Sequence, residues 1–263
     1  MKKGFIKGLE ESRISEFARA WKNDEFVIFL QPQIYSTNRE IVGFESLVRW
    51  NHPTKGIVGP GMFMDIVEAL EVSKEFDYMI FDKVCQILYK RMKEGKQMFT
   101  ISCNFAREHF LQDDFVEVLD KIRRKYNISS RYLAIELLEG KKFEDESKAQ
   151  DTINHLNRTG YKVYLDDCGA DSFCMDDLLF GNISHVKIDK RIVDNIEHSE
   201  MQDMLESLCS LAHAFNRTIV CEGVETLRQM ELVRRCGADI IQGYYYYKPM
   251  AAAKAIAIFD ITI

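Results

Sequence analysis

Residues 26–50 read FVIFLQPQIYSTNREIVGFESLVRW, and how this stretch pairs with itself decides the fold. Two apolar, β-branched and aromatic runs, residues 26–34 and 41–50, flank a polar centre as strands flank a turn. Only Ser36, Thr37, Asn38 and Arg39 form that centre. A parallel crossover needs a dozen or more residues, so the two runs are expected to form an antiparallel hairpin. With the turn centred near Asn38, Gln31 falls almost opposite Glu45, each seven residues from the centre.

Working outward, six further strand-like runs follow at residues 100–105, 133–138, 162–165, 185–188, 218–221 and 239–244. Amphipathic stretches long enough for helices lie at 73–93, 106–125, 144–158, 189–215 and 226–236. Eight strands separated by helices suggest a parallel α/β barrel ahead of a doubly wound sheet. Before the hairpin, residues 12–23 place Ile14, Phe17, Ala18 and Trp21 at helical spacing, which reads as a lead-in helix closing the barrel floor. The 263 residues contain four prolines and no Pro/Gly/Ser-rich linker, so one domain over residues 10–263 is expected after a short lead at 1–9.

Composition narrows the partners. Lys+Arg 35 against Asp+Glu 41 leaves a net charge of −6, which argues against a nucleic-acid polymer. The seven cysteines are odd in number and include no Cys-x-x-Cys pair, so a reducing compartment is expected. Neither a signal peptide nor an apolar run near 18 residues is visible, and a cytoplasmic location follows as the expectation.

Barrel enzymes carry their chemistry at the carboxyl ends of the strands. There the sequence supplies Glu45, Asn104, Glu136, the pair Asp166-Asp167, Lys187, Glu222 and Gln242. A lone glutamate in an apolar strand is usually outward-facing or structurally paired, but repetition around the barrel weakens that reading. Ionised carboxylates in a barrel mouth are costly unless paired or bound to metal, and one lysine cannot neutralise this set. Unmatched oxygens imply a pair of hard divalent cations, Mg²⁺ or Mn²⁺. Zinc would recruit His or Cys, and the six histidines include no His-x-His or His-x-x-x-His pair. Consecutive strand residues point to opposite faces, so Asp166 and Asp167 are expected to share a site only where the strand has just ended.

These residues carry a family resemblance. GFESLVRW resembles the EAL signature of cyclic di-GMP phosphodiesterases, with Ser46 in place of the usual Ala, and FLQPQI, PGMFMDIVE, SCNFA, IELLE, LDDCG, VKID, CEGVE and QGYYYYKP follow the family's order and spacing. The resemblance implies a modified TIM (β/α)8 barrel whose first strand is antiparallel. It implies that Glu45, Asn104, Glu136 and Asp166 hold one metal and that Asp166 and Asp167 engage a second. Lys187 would contact the attacking water or the phosphoryl charge, and Glu222 would assist as base or through a metal-bound water. Gln31 and Arg49 would contact the dinucleotide, with Gln242 in support. The implied product is linear pGpG, and a homodimer coupled to sensory or GGDEF-type modules is expected. The run Tyr244–Tyr247 reads either as a guanine-stacking face or as core packing.

One segment departs from the family pattern. After Asp166-Asp167 the chain reads Cys168-Gly169-Ala170-Asp171-Ser172-Phe173-Cys174, where the family has Phe-Gly-Thr-Gly-Tyr/Phe-Ser-Ser. Ala170 lacks the hydroxyl of Thr, and Asp171 lacks the backbone freedom of Gly. Glu139 matches the glutamate that anchors this loop. The departure implies weakened activity, or activation only in a particular assembly, and its competing reading is a receptor that binds cyclic di-GMP or a protein partner without turnover.

Overall fold

In the computed structural model, which describes residues 11–138, 143–169 and 182–262, the chain begins with α1 (Glu11–Lys22) and enters the expected hairpin. Strands β1 (Phe26–Tyr35) and β2 (Ile41–His52) pair antiparallel with Gln31 opposite Glu45. A slip of one residue after Gln33 brings Ile34 opposite Ile41. A short β3 (Gly56–Val58) folds back on the end of β2. The sheet then continues in parallel from β2 through β4 (Thr100–Phe105), β5 (Leu133–Leu137), β6 (Lys162–Cys168), β7 (His185–Ile188), β8 (Thr218–Cys221) and β9 (Ile240–Ile241). Strand β9 pairs antiparallel with β1 and closes an eight-strand barrel in which β1 runs against the rest. Outside it, β10 (Met250–Ala251) pairs with β1.

The helices coat the outside: α2 (Met64–Ala69), α3 (Ser73–Lys93), α4 (Phe115–Lys125), α5 (Glu146–Thr159), α6 (Lys190–Asp194), α7 (Ser199–Ala214), α8 (Leu227–Arg235) and α9 (Ala252–Thr262). Local chemistry sets several ends. The Asp145 carboxylate accepts from Lys148 N at the start of α5, and Gly160 ends that helix at φ 95°. Thr226 and Gln229 form a capping box on α8.

Two long helical expectations divide. Residues 189–215 break into α6 and α7, with Asp189 capping the first, and 106–125 become a 3₁₀ turn at Arg107–Leu111 followed by α4. The eighth strand is shorter than residues 239–244. A Cβ on Gly243 would stand 2.1 Å from Val224 O, so the chain leaves the ladder where it crosses that backbone. Helix α9 packs Phe259 against Phe44 and Phe99, with ring centroids 5.9 and 5.0 Å apart.

The lead-in helix does not close the floor. Phe17 of α1 packs on Phe26 and Phe76, and Phe26 lies opposite Trp50 near the carboxyl end of β2. Because β1 is reversed, its first residue stands at the carboxyl-end rim, and the helix that precedes it stands there too.

The six cysteines among the described residues are buried. No helix among those residues is long and apolar enough to cross a membrane. Inside the barrel, Tyr164 and His185 stack with centroids 4.1 Å apart at 23°, two residues before Asp166 and Lys187 on their strands. Burial, aided by Lys162, lowers the His185 pKa to about 3. A histidine whose folded pKa is depressed loses stability as pH falls below its unfolded value of about 6.5. Acidification from about pH 7 to 5 is therefore expected to cost about 2 kcal/mol through this ring alone. His185→Phe should flatten that part of the pH–stability curve, and an unchanged curve in denaturant melts would contradict it.

Candidate active site

Lys187 is 1% exposed, and its ammonium lies between the carboxylates of four other strands or strand ends. Its Nζ stands 2.7 Å from Glu136 Oε2, 2.8 Å from Asp166 Oδ1, 2.8 Å from Glu222 Oε1 and 3.6 Å from Glu45 Oε2. Alternation along each strand brings them inward together: Glu45 on β2, Glu136 on β5, Asp166 on β6, and Glu222 just beyond β8. Asn104 on β4 donates Nδ2 to Glu45 Oε1 at 3.1 Å. Gln242, next after β9, donates Nε2 to Glu45 Oε2 and, at 3.2 Å, to Gln31 Oε1.

Asp167 joins this group by a route the strand-end argument did not foresee. Strand β6 runs on to Cys168, but its pairing with β7 slips between Leu165↔Val186 and Cys168↔Ile188. Three β6 steps face two on β7, a bulge, and Asp167 adopts φ 54° within it. The extra residue re-aims the second carboxylate. One ligand oxygen from each of Asp166, Asp167 and Glu222 then lies within 4.8 Å of the others.

The cluster holds more negative charge than its resident cation balances. Burial raises the Glu136 pKa to about 8 and pushes Glu222 well above the usual carboxylate range, against the pull of Lys187. Repulsion from Glu45 and Asp166 adds to both shifts. Buried Glu136 Oε1 and Asn104 Oδ1 have no hydrogen-bond partner. Orphaned oxygens of this kind cost roughly 1–3 kcal/mol each unless something else satisfies them. An all-oxygen donor set, surplus charge and unpartnered acceptors together fit a hard divalent cation.

Two cavities flank the carboxylates. One, about 640 Å³, is bordered by Arg49, Asn104, Asp166, Phe76 and Asp77; the other, about 280 Å³, by Gln31, Glu222, Gln242, Lys190 and Tyr244. Both border Leu47, the residue two beyond Glu45 on the same face of β2. Arg49 is half-buried, bonded through Nη1 to Val48 O at 2.7 Å and seated over the Phe29 ring. Of the tyrosine run, Tyr244 is 52% exposed at the smaller cavity, while Tyr245, Tyr246 and Tyr247 pack on the core. Glu139 and residues 170–174 of the altered loop lie outside the described residues. Gln33, not among the strand-end residues read from the sequence, is 2% exposed and donates Nε2 to Gln242 Oε1 at 3.0 Å. The alternation Gln31-Pro32-Gln33 placed it on the same face as Gln31 and could have revealed it.

Residues 14–249 match the family model described as "EAL domain". The oxygen sensor protein DosP of Escherichia coli K12 is 26% identical over 234 residues, 89% of this chain and 29% of that protein. The bifunctional diguanylate cyclase/cyclic di-GMP phosphodiesterase MucR of Pseudomonas aeruginosa is 24% identical over 245 residues, 93% of this chain and 36% of that protein. The chain thus spans about a third of the length of these curated relatives. Among solved structures, the EAL enzyme Bd1971 in its cAMP- and cyclic-di-GMP-bound form superposes with a TM-score of 0.86 at 27% identity, covering 97% of this chain and 71% of that one. A family model spanning most of the chain, and a barrel shared with a solved member, establish that the chain belongs to the EAL domain family.

Proposed function

We propose that this domain is a metal-dependent phosphodiesterase that hydrolyses cyclic di-GMP to linear pGpG. The observation that carries the reading is the surplus of buried oxygens around one lysine, two of them unpartnered. Glu45, Asn104, Glu136 and Asp166 would hold one Mg²⁺ or Mn²⁺, with Asp166 and Asp167 engaging a second. Ions bound there would acidify a water and neutralise charge on the phosphoryl oxygens. Lys187 supplies a fixed positive charge beside the phosphoryl group, and Glu222, at the smaller cavity, takes the water's proton. A dinucleotide laid across the two cavities sets one phosphodiester over the carboxylates, with Arg49 contacting one half and Gln31 and Gln242 the other. Homodimerisation and control by a sensory or cyclase module belong to the same reading.

Incubation with cyclic di-GMP and Mg²⁺ or Mn²⁺, read by chromatography for pGpG, tests it. Nucleotide retained without turnover would instead support the receptor reading, which the substitutions at Ala170 and Asp171 favour. Calcium is expected to bind yet support little hydrolysis, because its larger, looser shell misplaces the attacking water. Comparable pGpG formation in calcium alone would contradict the proposed ion geometry.

A further inference from the structure

Three buried glutamines form a chain beneath Glu45, and the direction of every amide in it is fixed by groups that can only accept. The Tyr247 carbonyl accepts from Gln31 Nε2 at 3.2 Å, so Gln31 must turn Oε1 toward Gln242. The Glu45 carboxylate accepts as well, so Gln242 must turn Nε2 toward Glu45 and Gln31. Its Oε1 is then left facing the barrel interior, where Gln33 Nε2 meets it at 3.0 Å. Gln33, Gln242 and Gln31 are 2%, 3% and 7% exposed, which leaves water little access to replace that donor. Gly43 is the register partner of Gln33; a Cβ there would stand 2.9 Å from Thr100 O, too close for a side chain, and 3.7 Å from Gln33 Oε1, an ordinary contact.

We propose that Gln33 is a positioning residue: by locking the Gln242 amide, it fixes the Glu45 carboxylate in the orientation that receives a divalent cation. Gln33 touches neither the carboxylates nor either cavity, so its influence travels through Gln242 alone. The inference rests on the metal-dependent reading above and concerns ion affinity, not nucleotide affinity. Outer partners that orient a ligating carboxylate typically govern metal affinity by about 10–100-fold.

The test is Mn²⁺ binding to the unliganded protein, followed by electron paramagnetic resonance without nucleotide. Gln33→Met keeps the volume and deletes the donor, and it should weaken Mn²⁺ binding by about 10-fold. Gln242→Met should weaken it at least as much, and the double variant no further than Gln242→Met alone. At saturating Mn²⁺ the KM of Gln33→Met for cyclic di-GMP should be unchanged, since Gln33 lines neither cavity. Equal Mn²⁺ affinity in Gln33→Met and the wild type, or additive losses in the double variant, would overturn the proposal. Because the resonance readout needs no turnover, a protein that binds Mn²⁺ but never forms pGpG would refute the enzymatic reading and leave this test intact.

Discussion

Glu45→Ala is expected to lower pGpG formation by on the order of 10³-fold while the barrel stays folded. The carboxylate is one of the inferred ion ligands, and ligation supplies several kcal/mol of charge stabilisation in the transition state, each 1.36 kcal/mol being tenfold in rate. Stability should respond differently. Glu45 belongs to a group that is overcharged, and its repulsion helps to raise both Glu136 and Glu222. Deleting it relieves that repulsion, and Gln242 keeps Gln31 and Gln33 as partners. Thermal melts in EDTA should therefore show the variant close to, or above, the wild type. Unchanged turnover would remove Glu45 from the site. A collapse in melting temperature would make it a structural residue instead.

The sequence made the hairpin legible because loop length is a hard geometric limit: four residues cannot carry a parallel crossover. The same arithmetic placed Gln31 opposite Glu45, as found. Helix periodicity is weaker evidence, because it assigns a face and says nothing about which end of the barrel that face covers. Periodicity alone therefore lets α1 read as a floor helix, although the reversal of β1 requires its start, Phe26, to stand at the rim beside Trp50. Bulges are similarly hidden, since Asp166-Asp167 reads as an ordinary strand end until the pairing with β7 is known. The short β9 was obscured because the approach of Gly243 to Val224 is a contact between distant segments. Strand-end polar residues were found because they interrupt apolar runs. Gln33 sits one layer deeper, two residues beyond Gln31 and away from the rim.

Lys187→Met is expected to separate the two roles of the buried ammonium. In metal-free protein Lys187 is the cation in each ion pair described for Glu45, Glu136, Asp166 and Glu222. Removing one partner of a buried ion pair typically costs about 3–5 kcal/mol, because uncompensated charge remains behind. In EDTA the variant should lose that much in denaturant melts. Methionine fills a similar volume, so loss of packing contributes little. Divalent ions should then rescue it, since binding to the folded state alone adds about 2.7 kcal/mol at 100 times Kd. The rescue should exceed the stabilisation that the same ion gives the wild type, whose carboxylates already share a cation. Turnover, however, should stay low at saturating Mg²⁺ or Mn²⁺, because the ion replaces the lost charge but not a donor fixed at the position of Nζ. A variant restored in both stability and rate would show that Lys187 serves only to hold the carboxylates together. One as stable in EDTA as the wild type would show that the carboxylates do not depend on its charge.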